Sequence, residues 1–271
     1  MKVLGIIAGG RDLPKKIIQA CQKINRPFFV LALEGFADPD LIKSTPHEWC
    51  KIGAIQTALD ILKKNNVQEI LFVGQVKRPS LTSLSLDKTG VKWIAKIGLK
   101  AFGDDGLLSG VLELVEKEGF SIVKAQDIVK DLMVQKGCLT KTKPTEKDWQ
   151  DIKRGIYAAQ ELGKADIGQS VVVEEGVVLS VEGIEGTDAM ILRTKNLKKH
   201  KDCGVLVKLV KPQQSQAVDM PTTGIETVEN AINSGLKGMA IQSMGTFVLD
   251  LNQMIELANK NNFFIEVVEV S

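Results

Sequence analysis

Apolar residues fall in short unbroken runs over the first half of the chain, and each run stops at a glycine or a polar cluster. Val3 to Ala8 is such a run, closed by Gly9-Gly10. A continuous run of this length predicts a strand buried on both faces. Asp12 stands where it can cap a helix with Pro14 in its first turn, and Ile17, Ile18 and Cys21 follow at helical spacing. Phe28 to Leu33 predicts a second strand, and Glu69 to Val73 a third that ends at Gly74. Between them, Ala54 to Lys64 carries Ile55, Leu59 and Leu62 on one helical face. Asp104 to Glu118 predicts a helix and Phe120 to Lys124 another strand. Strands alternating with helices predict a Rossmann-like domain on a parallel sheet.

The texture changes near Gly137. Lys141 to Lys147 is polar, charged and broken by Pro144, which predicts a linker over 137–147. The expected domains are therefore 1–136 and 148–271. The second opens with a helix from Asp148 to Leu162. Val171 to Val173 and Val177 to Val181 then flank Glu174-Glu175-Gly176, a hairpin signal. Val205 to Val210 reads as a strand, and Thr223-Gly224-Ile225-Glu226 as a capping box before a helix to Ser234. Strands at Met239 to Gln242, Thr246 to Leu249 and Phe263 to Val270, with a helix from Asn252 to Lys260, complete a mixed α/β domain.

Composition narrows the function classes. A chain of 271 residues with 44% apolar and 25% charged content is an ordinary globular protein large enough for two domains. A net charge of +2 and a single tyrosine give no electrostatic or stacking case for nucleic acid. The four cysteines form no C-x-x-C pair and only two histidines exist, so a structural zinc site is not expected. The N-terminal apolar run is too short for a signal peptide, and no run approaches a membrane span, so the reading is cytoplasmic.

Candidate chemistry sits on the turns. Gly9 and Gly10 let backbone approach a phosphate at a helix N-terminus, or serve only a tight turn. Glu34 ends the second strand, where a nicotinamide enzyme would place a ribose-binding acid. Gly74 through Pro79 follows the third strand, and Lys77 and Arg78 there could meet a phosphate. Asp104 and Asp105 suit either a helix dipole or a ligand contact. Lys92, Lys96 and Lys100 form a basic stripe on an amphipathic helix, which suits a solvated face or an anionic membrane surface.

The strongest pattern is a pair of acidic loops, Glu185 to Met190 and Lys211-Pro212 through Thr222. Glu185, Asp188 and Asp219 stand beside structure-breaking residues after strand-like runs, with Lys208 and Lys211 near them. Water attack on a phosphoric anhydride needs a positioned water and neutralisation of developing oxygen charge. A divalent ion held by one or two carboxylates, with a lysine nearby, meets both needs.

These motifs, in this order, resemble the LpxI family of UDP-2,3-diacylglucosamine pyrophosphatases of lipid A biosynthesis. The likeness runs from Ala8-Gly9-Gly10 through Gly74-Gln75-Val76-Lys77-Arg78-Pro79, Gly103-Asp104-Asp105 and Asp166 to Val173. It continues over Val181 to Met190, Val207 to Pro212 and Val218 to Gly224. The resemblance implies hydrolysis of UDP-2,3-diacylglucosamine to UMP and 2,3-diacylglucosamine 1-phosphate (lipid X) with magnesium or another divalent cation. It also implies two domains that clasp the lipid, a homodimer, and room for peripheral contact with the inner membrane. Asp219 is implied as the essential catalytic and metal-binding acid and Asp188 as a second metal ligand. Gly9, Gly10, Gly74, Gln75, Arg78, Asp104, Asp105, Thr187, Lys208 and Lys211 are implied as substrate contacts. The chain departs from the family pattern at Gln213 to Ala217, where an acid and an arginine are usual. A nicotinamide-dependent oxidoreductase and a non-catalytic lipid-binding homologue are the alternatives.

Overall fold

The computed structural model describes the chain apart from residues 77–83, 98–103, 201, 213–219 and 271, and apart from the side chains of Asp104, Asp105 and Leu107. The chain divides into two compact units, the first spanning Met1–Lys130 and the second beginning at Asp131.

In the first unit, β1 (Val3–Ala8), β2 (Phe28–Leu33), β3 (His47–Cys50), β4 (Val67–Val73) and β5 (Ser121–Ile122) form one sheet in the order β3-β2-β1-β4-β5. Every pairing in it is parallel. Parallel strands need crossovers, supplied by helices such as α1 (Leu13–Lys23), α2 (Pro39–Ile42) and α3 (Ile55–Lys64). The fully apolar faces of β1 and β2 are buried, as their unbroken hydrophobic runs require. The strand β3 was not expected. Its sequence, His-Glu-Trp-Cys, is mostly polar, and it pairs at the sheet edge, where only Cys50 is fully buried.

The basic stripe lies on α4 (Lys88–Ile97), which buries Gly90 and Trp93 and turns Lys88, Val91, Lys92 and Lys96 outward. Lys100 lies outside the described residues. α5 (Asp104–Lys117) follows, and α6 (Ala125–Ile128) ends the unit.

In the second unit, β6 (Gly137–Cys138), β7 (Ser170–Glu174), β8 (Val177–Val181), β9 (Val205–Lys208), β11 (Gly238–Gln242) and β13 (Phe264–Val268) form a mixed sheet, order β6-β13-β11-β9-β7-β8. Its central strands β9, β11 and β13 are parallel, while β6, β7 and β8 run antiparallel to their neighbours. α7 (Glu146–Lys164) covers one face, where Ile152 and Ala159 meet Val171, Val173, Val205 and Val207. α8 (Thr187–Thr194), α9 (Ile225–Asn233) and α10 (Leu251–Lys260) cover the other, through Met190, Ile191, Val228 and Met254. β10 (Thr222–Thr223) and β12 (Phe247–Val248) pair as a small separate ribbon.

The segment 137–147, expected as a linker, is built into this second unit. Cys138 pairs with Glu266, and Leu139 N donates to Ile265 O at 2.9 Å. Its polar composition misled because Thr140 Oγ1 is itself part of the sheet edge, accepting from Ile265 N at 3.0 Å. Its end caps α7: Thr145 and Asp148 form a reciprocal capping box. Two other expected caps are absent. Asp12 and Gly224 stand at the N-caps of α1 and α9 with no side-chain cap bond, and Thr223 is spent on β10.

Candidate active site

Two clusters hold many of the described residues singled out from the sequence. The first lies where the order of the N-terminal sheet reverses, between β1 and β4. The ends of adjacent strands that lead opposite ways form the usual ligand crevice of such a sheet. Gly9 and Gly10 follow β1 there, and Gly74 and Gln75 follow β4. Their backbones meet directly: Gly10 N donates to Gln75 O and Gln75 N to Gly10 O, both at 2.9 Å, and Gly9 N donates to Val73 O at 2.8 Å. A Cβ on Gly9 would sit 2.8 Å from Gln75 O, so the glycine is required by this close approach. These three N–H groups are thus engaged with backbone, whereas the phosphate reading supposed them available. Arg11 Nε ties the same corner to Gln75 Oε1 at 2.7 Å. Arg78 lies outside the described residues, as do the side chains of Asp104 and Asp105.

The second cluster lies at the C-terminal ends of the parallel strands of the other sheet. β9 delivers Lys208 to this end. β7, antiparallel to it, starts there with Ser170, in register with Lys208. β8 ends there, and Glu182 follows it with its N–H on Ser170 O at 2.8 Å. The first residue of α8, Thr187, completes the group. Lys208 is 5% exposed, Glu182 7%, Thr187 8% and Ser170 fully buried. Lys208 Nζ donates to Thr187 Oγ1 at 3.0 Å and to Thr222 O at 2.9 Å. Thr187 Oγ1 donates to Glu182 Oε1 at 3.0 Å and lies 3.3 Å from Ser170 Oγ. A buried ammonium and a buried carboxylate are therefore joined through one hydroxyl. Charges removed from water to this degree persist only with such partners.

Asp188 neighbours this group at the start of α8, half-buried, where it accepts from Thr227 Oγ1 of α9 at 3.1 Å. A carboxylate there also complements the helix dipole. Lys211, expected near the substrate, pairs with Asp166 Oδ1 at 2.6 Å. Glu185 is turned away from the cluster into a clamp on α8: Arg193 contacts its Oε1 at 2.9 Å and also reaches Val181 O. The Glu185 backbone N–H and the Arg193 guanidinium hold that carboxyl below its ordinary value. Asp219 lies outside the described residues.

Sequence reading missed Glu182 and Ser170 as members of the site. A signal existed. Ser180 and Glu182 sit two apart around the end of β8 and are both buried, while Val181 between them is exposed. Ser180 Oγ meets Met190 Sδ and Thr194 Oγ1 on α8, so this face is the one α8 covers. Polar residues on a strand's inward face are candidates for a buried network. The acidic pattern drew attention instead to Glu185, three residues on.

Oxygen ligands suit a hard cation such as magnesium, which needs only one or two carboxylates and otherwise keeps water and phosphate oxygens. The residues here fit that need. Asp188, at the start of α8, is a half-buried carboxylate at this end of the sheet that would serve as one such ligand. The described residues contain no group of three or more His, Cys, Asp or Glu able to enclose a metal, so no all-protein cage is built from them.

Comparison with known proteins accounts for both units. The LpxI N-terminal domain matches residues 3–132 and the LpxI C-terminal domain residues 135–266, a division that agrees with the two compact units. The chain is 36% identical over 272 aligned positions to UDP-2,3-diacylglucosamine pyrophosphatase LpxI of Caulobacter vibrioides, covering 98% of this chain and 97% of that one. Among solved structures, N5-carboxyaminoimidazole synthase from Aspergillus clavatus aligns at 10% identity and a TM-score of 0.26, over 73% of this chain and 44% of that one. That likeness is too slight to inform the fold. Family matches over both units and a relative of this identity over nearly the whole length agree: the chain belongs to the LpxI family.

Proposed function

We propose that this protein hydrolyses the pyrophosphate of UDP-2,3-diacylglucosamine, giving UMP and 2,3-diacylglucosamine 1-phosphate, in lipid A biosynthesis. The observation that carries this is the near full-length identity to a pyrophosphatase of that name. The buried Lys208 at the strand ends supports it, because a fixed cation is what developing charge on phosphate oxygens requires. Nothing comparable supports a nicotinamide enzyme. The turn after β1 lacks the dinucleotide glycine spacing, and its amides are taken by Gln75 and Val73.

In this reading Asp219 and Asp188 hold a divalent cation, magnesium first. That ion supplies charge neutralisation and an acidified water when bound. The chain's own residues do the rest. Lys208 offers its ammonium to a phosphate oxygen, Thr187 fixes that ammonium, and Lys211 adds positive potential that Asp166 tempers. Gly9, Gly10, Gly74, Gln75, Arg78, Asp104 and Asp105 contact the nucleotide or its phosphates, through side chains and carbonyls more than through the amides already engaged. The enzyme works as a cytoplasmic homodimer that meets the inner membrane surface at times through basic faces such as α4. No helix among the described residues is long and apolar enough to cross a membrane.

The test is release of UMP from UDP-2,3-diacylglucosamine by the purified chain, with magnesium and with excess EDTA, beside Asp219→Ala. Turnover that needs metal and Asp219 supports the reading. Bound lipid without UMP release under any metal would instead favour a lipid-binding homologue.

A further inference from the structure

The hydrogen-bond directions at the second cluster are forced. An ammonium can only donate and a carboxylate can only accept, while a hydroxyl has one proton and two lone pairs. Thr187 therefore gives its proton to Glu182 Oε1 and receives Lys208 Nζ on one lone pair. Ser170 Oγ, 3.3 Å away, is left to donate to the other. Thr187 is fully committed, and its orientation is set by Glu182. Lys208 has a second fixed acceptor in Thr222 O, so its ammonium is held from two sides. Glu182 is itself anchored by backbone, its N–H on Ser170 O. The 167–169 loop packs so tightly over it that a Cβ on Gly168 would meet Glu182 O at 2.2 Å.

One atom in this arrangement is unspent. Glu182 Oε2 is buried and has no hydrogen-bond partner among the described residues. A buried carboxylate oxygen left in that state is costly and calls for a reason beyond folding. A purely structural role would be met as well by apolar side chains in place of the whole Lys208–Thr187–Glu182 group.

We propose that Glu182 is a positioning residue of the pyrophosphatase site. Through the Thr187 hydroxyl it fixes the Lys208 ammonium where charge develops on the phosphate oxygens, and its free oxygen takes a donor, a water or a substrate hydroxyl, when the site is loaded. This rests on the proposed function, and it adds a residue to which the acidic-loop pattern gave no part.

The relay is tested with Glu182→Gln, Glu182→Ala, Thr187→Val and Thr187→Ser. Thr187→Ser keeps the hydroxyl. It should retain most of the wild-type kcat and rescue what Thr187→Val loses. Thr187→Val and Glu182→Gln should lower kcat by about 10- to 100-fold, the cost of a slightly misplaced group, while KM moves little. Thermal melting confirms that each variant is folded. In parallel, trace acetylation followed by peptide mass spectrometry reads Lys208 itself. Lys208 should stay protected in wild type and in Thr187→Ser, and label several-fold faster in Thr187→Val and Glu182→Ala. Wild-type kcat in Glu182→Gln, equal kcat in Thr187→Ser and Thr187→Val, or labelling of Lys208 indifferent to every variant would each overturn the proposal. The labelling does not depend on turnover. A wild type that fails to release UMP would sink the function, and the relay would still be judged by its own result.

Discussion

Lys211 Nζ lies 2.6 Å from Asp166 Oδ1, with both side chains mostly shielded from water. The cation expected at the mouth of the second acidic loop is thus partly neutralised by the loop before β7. The more deeply buried cation at this end of the sheet is Lys208. Asp166 also holds a left-handed backbone, φ 54°, which asparagine accepts more readily than alanine. Asp166→Asn therefore removes the charge with little added strain. Its urea midpoint should fall by an amount equivalent to about 1 kcal/mol or less, since the pair keeps some contact with solvent. The gap to wild type should narrow in high salt.

Lys208→Met keeps much of the side-chain volume and deletes the ammonium. Turnover of UDP-2,3-diacylglucosamine should drop by about 10²- to 10³-fold, the range for losing one preorganised donor to developing oxygen charge. Steady-state kinetics at saturating magnesium measures it. A loss confined to KM would place Lys208 in ground-state binding alone.

Asp151 of α7 holds the β7–β8 turn, taking Gly176 N on Oδ1 at 2.7 Å and Glu175 N on Oδ2 at 3.1 Å. Both turn residues have positive φ, 51° and 77°, as a two-residue hairpin requires. Asp151→Ala should destabilise the protein by about 1–3 kcal/mol, because it removes two hydrogen bonds from a carboxylate to the turn amides. Equilibrium unfolding in urea reads this directly, with little effect on kcat, since the turn lies at the other end of β7 from Ser170.

Two carboxyl groups of the second unit titrate in opposite senses. Burial opposes the Asp148 carboxylate, but the Thr145 hydroxyl and N–H and the Lys237 ammonium outweigh it and leave the group below its ordinary value. Its stabilisation is present above the unfolded pKa and is lost as pH falls through the lower, folded one. Burial raises Glu266 despite Cys138 and Lys143. Its contribution is complete below the unfolded pKa and is lost as pH rises through the higher, folded value. Glu266→Gln should therefore raise the urea midpoint at neutral pH, with the gain vanishing by about pH 4, where the unfolded glutamate is largely protonated. Asp148→Asn should cost stability at neutral pH and converge with wild type only in stronger acid.

The architecture was largely legible because unbroken apolar runs and helical spacing carry it. β1, β2, β4, β9, β11 and β13 all declare themselves this way, and the Glu175-Gly176 turn joins the strands foreseen around it. What was missed has a common physical origin. β3 is held by ladder bonds at a sheet edge and needs few apolar side chains. The 137–147 segment joins its sheet through backbone and Thr140, so its polarity looked like a linker. At the site, Thr187, Asp188 and Lys208 were picked out, but Glu182 was passed over. A buried polar residue is recognisable only once the helix that covers it is known. Asp219, Arg78 and the departures at Gln213 to Ala217 lie outside the described residues, so their part rests on the family resemblance.

The most direct measurement is phosphorus NMR of UDP-2,3-diacylglucosamine incubated with catalytic amounts of the purified chain and magnesium. The account predicts that the pyrophosphate signals give way to two phosphomonoester signals, UMP and the lipid 1-phosphate, in equal amounts over many turnovers, and that EDTA stops the conversion. A pyrophosphate that survives unchanged in the presence of folded protein and metal would contradict it.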